Sequence, residues 1–279
     1  MQVDTNKVRF IQRWGEDPGW RAFIGFIGPP NLCLSGWEFL KIAPEGFIAT
    51  FMHTYMTKDG SPTKFDFTVE GIQEAAKQVE HCAMVLKAVG VDLIAQSGTP
   101  YAFCPEGGLA ASRELRARIE KNTGLPMVIM GLSVINAIQR MGCKSVAVSS
   151  TYYYEGWRQR YTKFLEDGGV KVLGNENFVS LGFYPDQEAV KLHPTRRFAM
   201  SVIYRAAKMV ANMYPEADCI VISGGGVLTT DILKPLETDL RKPVISSAAA
   251  QYFEIFYRLG IFESIPDRGS LLASLEKAH

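Results

Sequence analysis

The stretch Cys219-Ile220-Val221-Ile222-Ser223-Gly224-Gly225-Gly226, which runs through Val227 into Leu228-Thr229-Thr230-Asp231, decides how this chain is read. An apolar, β-rich run ends in a serine and three glycines, and a helical pattern follows. Leu93-Ile94-Ala95-Gln96-Ser97-Gly98-Thr99-Pro100 has the same design roughly half a chain earlier. In open α/β sheets, ligands collect where strands finish and helix N-termini present N–H groups. Two Ser-Gly turns placed this way point to two related halves closing over one small anion.

The flanking sequence extends that pattern. β-rich runs at 23–27, 47–53, 91–96, 127–130, 145–149, 170–173, 219–223 and 243–246 alternate with amphipathic stretches, which predicts an α/β fold with a largely parallel sheet. Thr68 reads as the N-cap of a helix carrying Ile72, Ala75, Val79 and Leu86 on one face. Further helices are predicted over 108–122, 133–140, 155–167, 196–213 and 231–240. Gly124-Leu125-Pro126 and Gly168-Gly169 are stop and turn signals. The halves echo one another: Gly124-Leu125-Pro126-Met127-Val128-Ile129 compares with Arg241-Lys242-Pro243-Val244-Ile245-Ser246. Residues 1–20 read as an added arm.

Composition narrows the function. The chain has 279 residues, 47% hydrophobic and 21% charged, with a formal charge of +1. A balance this neutral argues against a broad nucleic-acid or membrane surface. No apolar run approaches the roughly 20 residues of a membrane span, and the start lacks the order of a signal peptide, so a cytoplasmic location is expected. The five cysteines (Cys33, Cys82, Cys104, Cys143 and Cys219) never form a Cys-x-x-Cys pair, which suits a reducing compartment and no structural zinc. The histidines lack metal-binding spacing, and no metal or cofactor is implied.

The glycines do not spell a nucleotide site. Gly224-Gly225-Gly226-Val227-Leu228 fits neither the dinucleotide fingerprint nor the phosphate loop. Ile24-Gly25-Phe26-Ile27-Gly28-Pro29-Pro30 has the wrong spacing, and its prolines have no N–H to offer a phosphate. No Gly-x-Ser-x-Gly elbow marks an acyl-transfer serine.

At this point the residues resemble a known family. Ser223-Gly224-Gly225-Gly226-Val227-Leu228-Thr229-Thr230-Asp231, Leu236-Glu237, Lys242-Pro243-Val244-Ile245-Ser246-Ser247 and Leu259-Gly260 look like the aspartate/glutamate racemase superfamily. The branch is that of arylmalonate decarboxylase and maleate cis-trans isomerase. Ile27-Gly28-Pro29-Pro30, Pro44-Glu45-Gly46, Gly98-Thr99, Thr123-Gly124-Leu125-Pro126 and Lys144-Ser145-Val146-Ala147-Val148 followed by Tyr152 match in order, over about residues 22–262. The resemblance implies two pseudo-symmetric, Rossmann-like (flavodoxin-like) lobes with mainly parallel sheets and the site between them. It divides the chain into an arm (1–20), lobe 1 (21–130 plus 247–279) and lobe 2 (131–246). It also implies cofactor-independent chemistry on a small carboxylate held by Pro29, Ser97, Gly98, Thr99, Ser223, Gly224, Gly225, Gly226 and Tyr152.

The departures bear on chemistry. In the resemblance, Gly98 stands where relatives place a first cysteine and Gly224 where they place a second, so the reactive thiols are missing. Backbone donors can still stabilise an enediolate. Another group must then move the proton. His53 ends the second strand and suits acid/base work. Cys104 follows, read as opening the next helix, where a helix N-terminus would lower its pKa; Cys33 is a further candidate. Within the Tyr152-Tyr153-Tyr154 run, Tyr152 holds the family position, so the resemblance implies that it is the carboxylate donor. Tyr184 and Asp186 lie in a loop within reach, and His193-Pro194-Thr195 reads as a cap before Arg196 and Arg197. His81 and His279 have no assigned role.

The sequence thus predicts a decarboxylase-like lyase acting on a small carboxylic or dicarboxylic acid. A maleate-type isomerase or racemase, a hydrolase on the same scaffold, and a non-catalytic carboxylate-binding protein remain the alternatives. The only partner expected is the small acid itself, with an even-numbered assembly through the arm.

Overall fold

A computed structural model describes residues 18–29, 33–56, 68–191 and 198–275. Pro30, His193, Arg196, Arg197, His279, most of the arm and the side chain of Cys33 fall outside the described residues.

Among the described residues, eight strands form two four-stranded sheets. The first contains β1 (Ala22–Gly28), β2 (Phe47–His53), β3 (Leu93–Gln96) and β4 (Met127–Ile129). The second contains β5 (Ser145–Ser149), β6 (Lys171–Glu176), β7 (Cys219–Ile222) and β8 (Val244–Ser246). Their orders, β2-β1-β3-β4 and β6-β5-β7-β8, are the same topology used twice, and every pairing is parallel. Parallel strands buried on both faces read as continuous apolar runs, which is why all eight were visible in the sequence.

Helices link the strands. In the first half these are α1 (Cys33–Ile42), α2 (Val69–Ala76), α3 (Val79–Val89), α4 (Pro100–Phe103), α5 (Gly108–Thr123) and α6 (Met130–Arg140). The second half adds α7 (Glu155–Asp167), α8 (Gln187–Lys191), α9 (Met200–Met213), α10 (Thr230–Leu240), α11 (Ser247–Arg258) and the short C-terminal α12 (Ser270–Ala273). Among the described residues, no helix is long and apolar enough to cross a membrane.

Thr68 caps α2 as expected, its Oγ1 accepting the Gly71 amide at 3.2 Å. The helix expected from Ile72 through Leu86 is in fact two. At the break the Gln78 amide turns back to the Ala75 carbonyl, while the Gln78 side chain brackets the Tyr55 backbone, accepting its N–H at 2.9 Å and donating to its carbonyl at 3.0 Å. A tertiary anchor therefore outweighs the continuous helical periodicity.

Of the helices not anticipated, α1 and α11 build the seam between the halves. α11 follows β8 and packs on α6, which follows β4. Its N-cap is Ser246, whose hydroxyl accepts the Ala249 amide at 3.1 Å. α1 lies across the same seam. Its fully buried Phe39 stacks on Phe256 at 5.3 Å and meets Phe26 and Phe47 edge-on at 5.6 and 5.5 Å. Burying one such ring contributes about 1.5–3 kcal/mol, so this cluster pins α1 to both β1 and α11.

Candidate active site

Strand register lines up the C-terminal ends. Gly28 pairs with His53, Gln96 with Ile27 and Ile129, and Ile222 with Ser149 and Ser246. The residues that follow these ends, Pro29, Ser97, Thr151 and Ser223, gather at one level of the molecule.

There the two turns meet. Gly98 (φ 101°) and Gly224 (φ 135°) both adopt backbone conformations that L side chains rarely take. Between the turns the main chains abut: a Cβ placed on Gly225 would lie 3.3 Å from both the Cα and the N of Gly98. A side chain there would be tighter than ordinary van der Waals contact, so glycine eases this approach. A Cβ on Gly224 would sit 2.7 Å from Thr151 Oγ1 and 3.0 Å from the Tyr152 ring.

Buried hydroxyls tie the turns together from behind. Thr99 Oγ1 donates to Ser247 Oγ at 3.1 Å, and Ser247 Oγ lies 3.4 Å from Ser223 Oγ. Ser223 Oγ in turn donates to the Tyr153 hydroxyl at 3.1 Å. Ser97 Oγ donates to Gln251 Oε1 at 2.9 Å, while Gln251 Nε2 returns a bond to the Gln96 carbonyl at 2.7 Å. Thr151, itself left-handed at φ 50°, donates its hydroxyl to the Ser223 carbonyl at 2.7 Å. Complete burial pushes the Tyr153 phenol well above its ordinary value, so it stays neutral within this network.

Tyr152 lies on the rim. Its hydroxyl accepts the Gly226 amide at 3.2 Å and its ring stacks on Phe198 at 5.7 Å. Tyr184 packs edge-on behind Phe198, whereas Asp186 is exposed and accepts the Ala189 amide at the start of α8. His53 is exposed at the end of β2 and lines a small recess with Gly28, Pro29 and Ser97. The larger clefts, of about 440 and 470 Å³, lie elsewhere, one over α2 and α5 and the other over α6 and α11.

Two expectations change. Cys104 does not open a helix; it terminates α4 and is fully buried. Burial, the dominant influence, raises its thiol far above the ordinary range instead of lowering it. At the second turn, the N–H groups of the following helix are not open to a ligand. Buried Glu38, reaching over from α1, accepts the Thr229 and Thr230 amides at 2.6 and 2.8 Å and the Thr230 hydroxyl at 3.1 Å through Oε1. Its Oε2 accepts from Tyr252 at 3.3 Å. Desolvation raises the Glu38 pKa against the lowering effect of these bonds. Ser35, one turn earlier on α1, donates to the Gly225 carbonyl at 2.9 Å.

Sequence reasoning missed Glu38, Ser35, Ser247, Gln251 and Met130. A serine pair ahead of three alanines (Ser246-Ser247-Ala248-Ala249-Ala250) is a helix-start signal that would have placed Ser247 and Gln251. Nothing local marks Glu38, because its partners lie almost two hundred residues away. Among the described residues, no group of three or more His, Cys, Asp or Glu could hold a metal ion.

Two four-stranded parallel α/β sheets of one topology, whose glycine turns abut, define the class of fold. The chain belongs to the arylmalonate decarboxylase family, whose sequence profile matches residues 63–272. It is 26% identical to arylmalonate decarboxylase from Bordetella bronchiseptica over 233 residues, covering 83% of this chain and 88% of that protein. It is 21% identical to maleate isomerase from Geobacillus stearothermophilus over 211 residues, covering 74% and 79%. It also superposes on a cysteine-to-serine variant of Nocardia farcinica maleate cis-trans isomerase with a covalently bound succinylcysteine intermediate. That match has a TM-score of 0.72 at 15% identity and covers 90% of this chain and 98% of the isomerase. With a decarboxylase and isomerases as its relatives, the chain is an enzyme of the decarboxylase-or-isomerase kind.

Proposed function

We propose that this chain is a cofactor-independent lyase that decarboxylates a small carboxylic or dicarboxylic acid through an enediolate. The supporting observation is the junction of the two turns: main-chain donors from both lobes converge where Gly98 meets Gly225, and Gly224 has neither the φ nor the space for a thiol-bearing side chain. Tyr152 and the amides of Gly224, Gly225 and Gly226 hold the carboxylate, while Pro29 closes the near side and Thr99, its hydroxyl donated to Ser247, braces the first turn from behind. Ser97 and Ser223, engaged with Gln251 and Tyr153, keep the turns in place.

In an acid with two carboxylates on one carbon, the bond from the α-carbon to the departing carboxylate breaks and its electron pair moves into the remaining carboxylate to give the enediolate. Fixed dipoles stabilise this charge without reorganising. A proton then returns to the α-carbon. His53, which shares a recess with Pro29 and Ser97, is the acid that delivers it and is reprotonated from water. Cys104, buried with its thiol held neutral, takes no part in this scheme.

Isomerisation is the second reading, favoured by the match to maleate isomerase. In the Nocardia enzyme the intermediate is carried on a cysteine, an atom that neither turn supplies here. Incubation with an aryl-substituted malonate and, separately, with maleate tests the choice. Carbon dioxide from the malonate with no fumarate from maleate supports the lyase; fumarate without carbon dioxide supports the isomerase.

A further inference from the structure

Met130 lies where the two turns converge. It is the first residue of α6, directly after β4, and is fully buried. Its Sδ accepts the Gly98 amide at 3.3 Å. The same sulfur is 3.2 Å from the Cβ position of Gly225, the glycine that touches Gly98. One thioether thus fills the angle between the first and second turns and satisfies a donor of the anion cradle.

That pairing is a weak one. A thioether is a poor acceptor, whereas hydrogen bonds to a charged oxygen are shorter and roughly twice as strong as neutral ones. A carboxylate oxygen reaching the Gly98 amide would therefore outcompete the sulfur. Methionine is unbranched with three rotatable bonds, so the side chain can turn aside without moving α6. Gly98 and Gly225 have no side chains of their own, which leaves Met130 as the side chain that sets the depth of the cradle beside them.

We propose that Met130 is a displaceable plug of the substrate site: its thioether holds the Gly98 amide in the empty enzyme and swings away when the acid binds, and its new position limits the size of the acid's α-substituent. This rests on the carboxylate-cradle reading above.

Methionine-methyl NMR on the full-length protein tests it, with an aryl-substituted malonate and maleate as probes and calorimetry reporting binding independently. The Met130 methyl is identified by its disappearance in Met130→Leu and, in the unsubstituted protein, by its cross-peak to the Gly98 amide proton. The expected result is a saturable shift of this methyl that tracks the calorimetric Kd, with loss of the cross-peak. Calorimetric saturation with the methyl and its cross-peak unmoved overturns the plug and leaves the cradle standing. No binding of either acid at millimolar concentration overturns the cradle, and the plug with it.

Discussion

Glu38 Oε1 accepts the Thr229 amide at 2.6 Å, so a carboxylate from α1 occupies the N-terminus of α10. This is the position where an α/β fold often receives a ligand anion. In this chain the position is filled from within, and the contact fastens α1 to the end of the second turn. The ligand site proposed above is therefore the turn itself, in front of Gly98.

The Glu38 clasp makes a pH prediction. Burial raises its folded-state pKa above the unfolded value. The stability this group contributes is therefore complete below the unfolded value and is lost as pH rises through the folded one. Thermal melts of the wild type and Glu38→Gln from about pH 4 to 8 will show the wild type losing ground to the variant as pH rises; parallel curves would contradict this. Glu38→Ala orphans the Thr229 and Thr230 amides and will cost about 2 kcal/mol or more.

Gly224→Cys will not create a thiol enzyme. The residue would have to hold φ near 135° with its Cβ 2.7 Å from Thr151 Oγ1. Denaturant unfolding will show a loss of about 2 kcal/mol or more, with no fumarate formed from maleate.

His53→Ala will lower kcat by about 100-fold or more with KM nearly unchanged, as expected for loss of a general acid. A variant with wild-type turnover would remove His53 from the reaction.

Tyr152→Phe removes the hydroxyl that accepts the Gly226 amide. A kcat/KM loss of about 10- to 100-fold with an unchanged melting temperature is expected, near the lower end of losses seen for single oxyanion donors.

Cys104→Ala will keep kcat within about twofold, because burial holds the thiol protonated. Steady-state kinetics beside His53→Ala separates the proposed acid from this buried thiol.

The sequence showed much of this fold and less of its site. Apolar runs such as Cys219-Ile220-Val221-Ile222 announce buried parallel strands, and the Ser-Gly turns at 97–98 and 223–224 are local signals. α11 was passed over although Ser246-Ser247 marks its start; it is buried from Ser247 to Phe256, Gln251 and Glu254 included. Partnerships across the seam were invisible for a different reason. Glu38 with Thr229 and Ser35 with Gly225 depend on how the lobes dock, and sequence spacing carries no information about docking; Met130 meets Gly98 through the β3–β4 register, which spacing also leaves open. Cys104 was misplaced because α4 is a single turn that ends where the thiol lies.

A crystal structure with an aryl-substituted malonate bound tests the central claim most directly. The account predicts carboxylate oxygens between the two turns, within about 3.2 Å of the amides of Gly98 and the second glycine turn and of the Tyr152 hydroxyl. A malonate seated instead in the cleft over α6 and α11, with the turns still closed on one another, would contradict it.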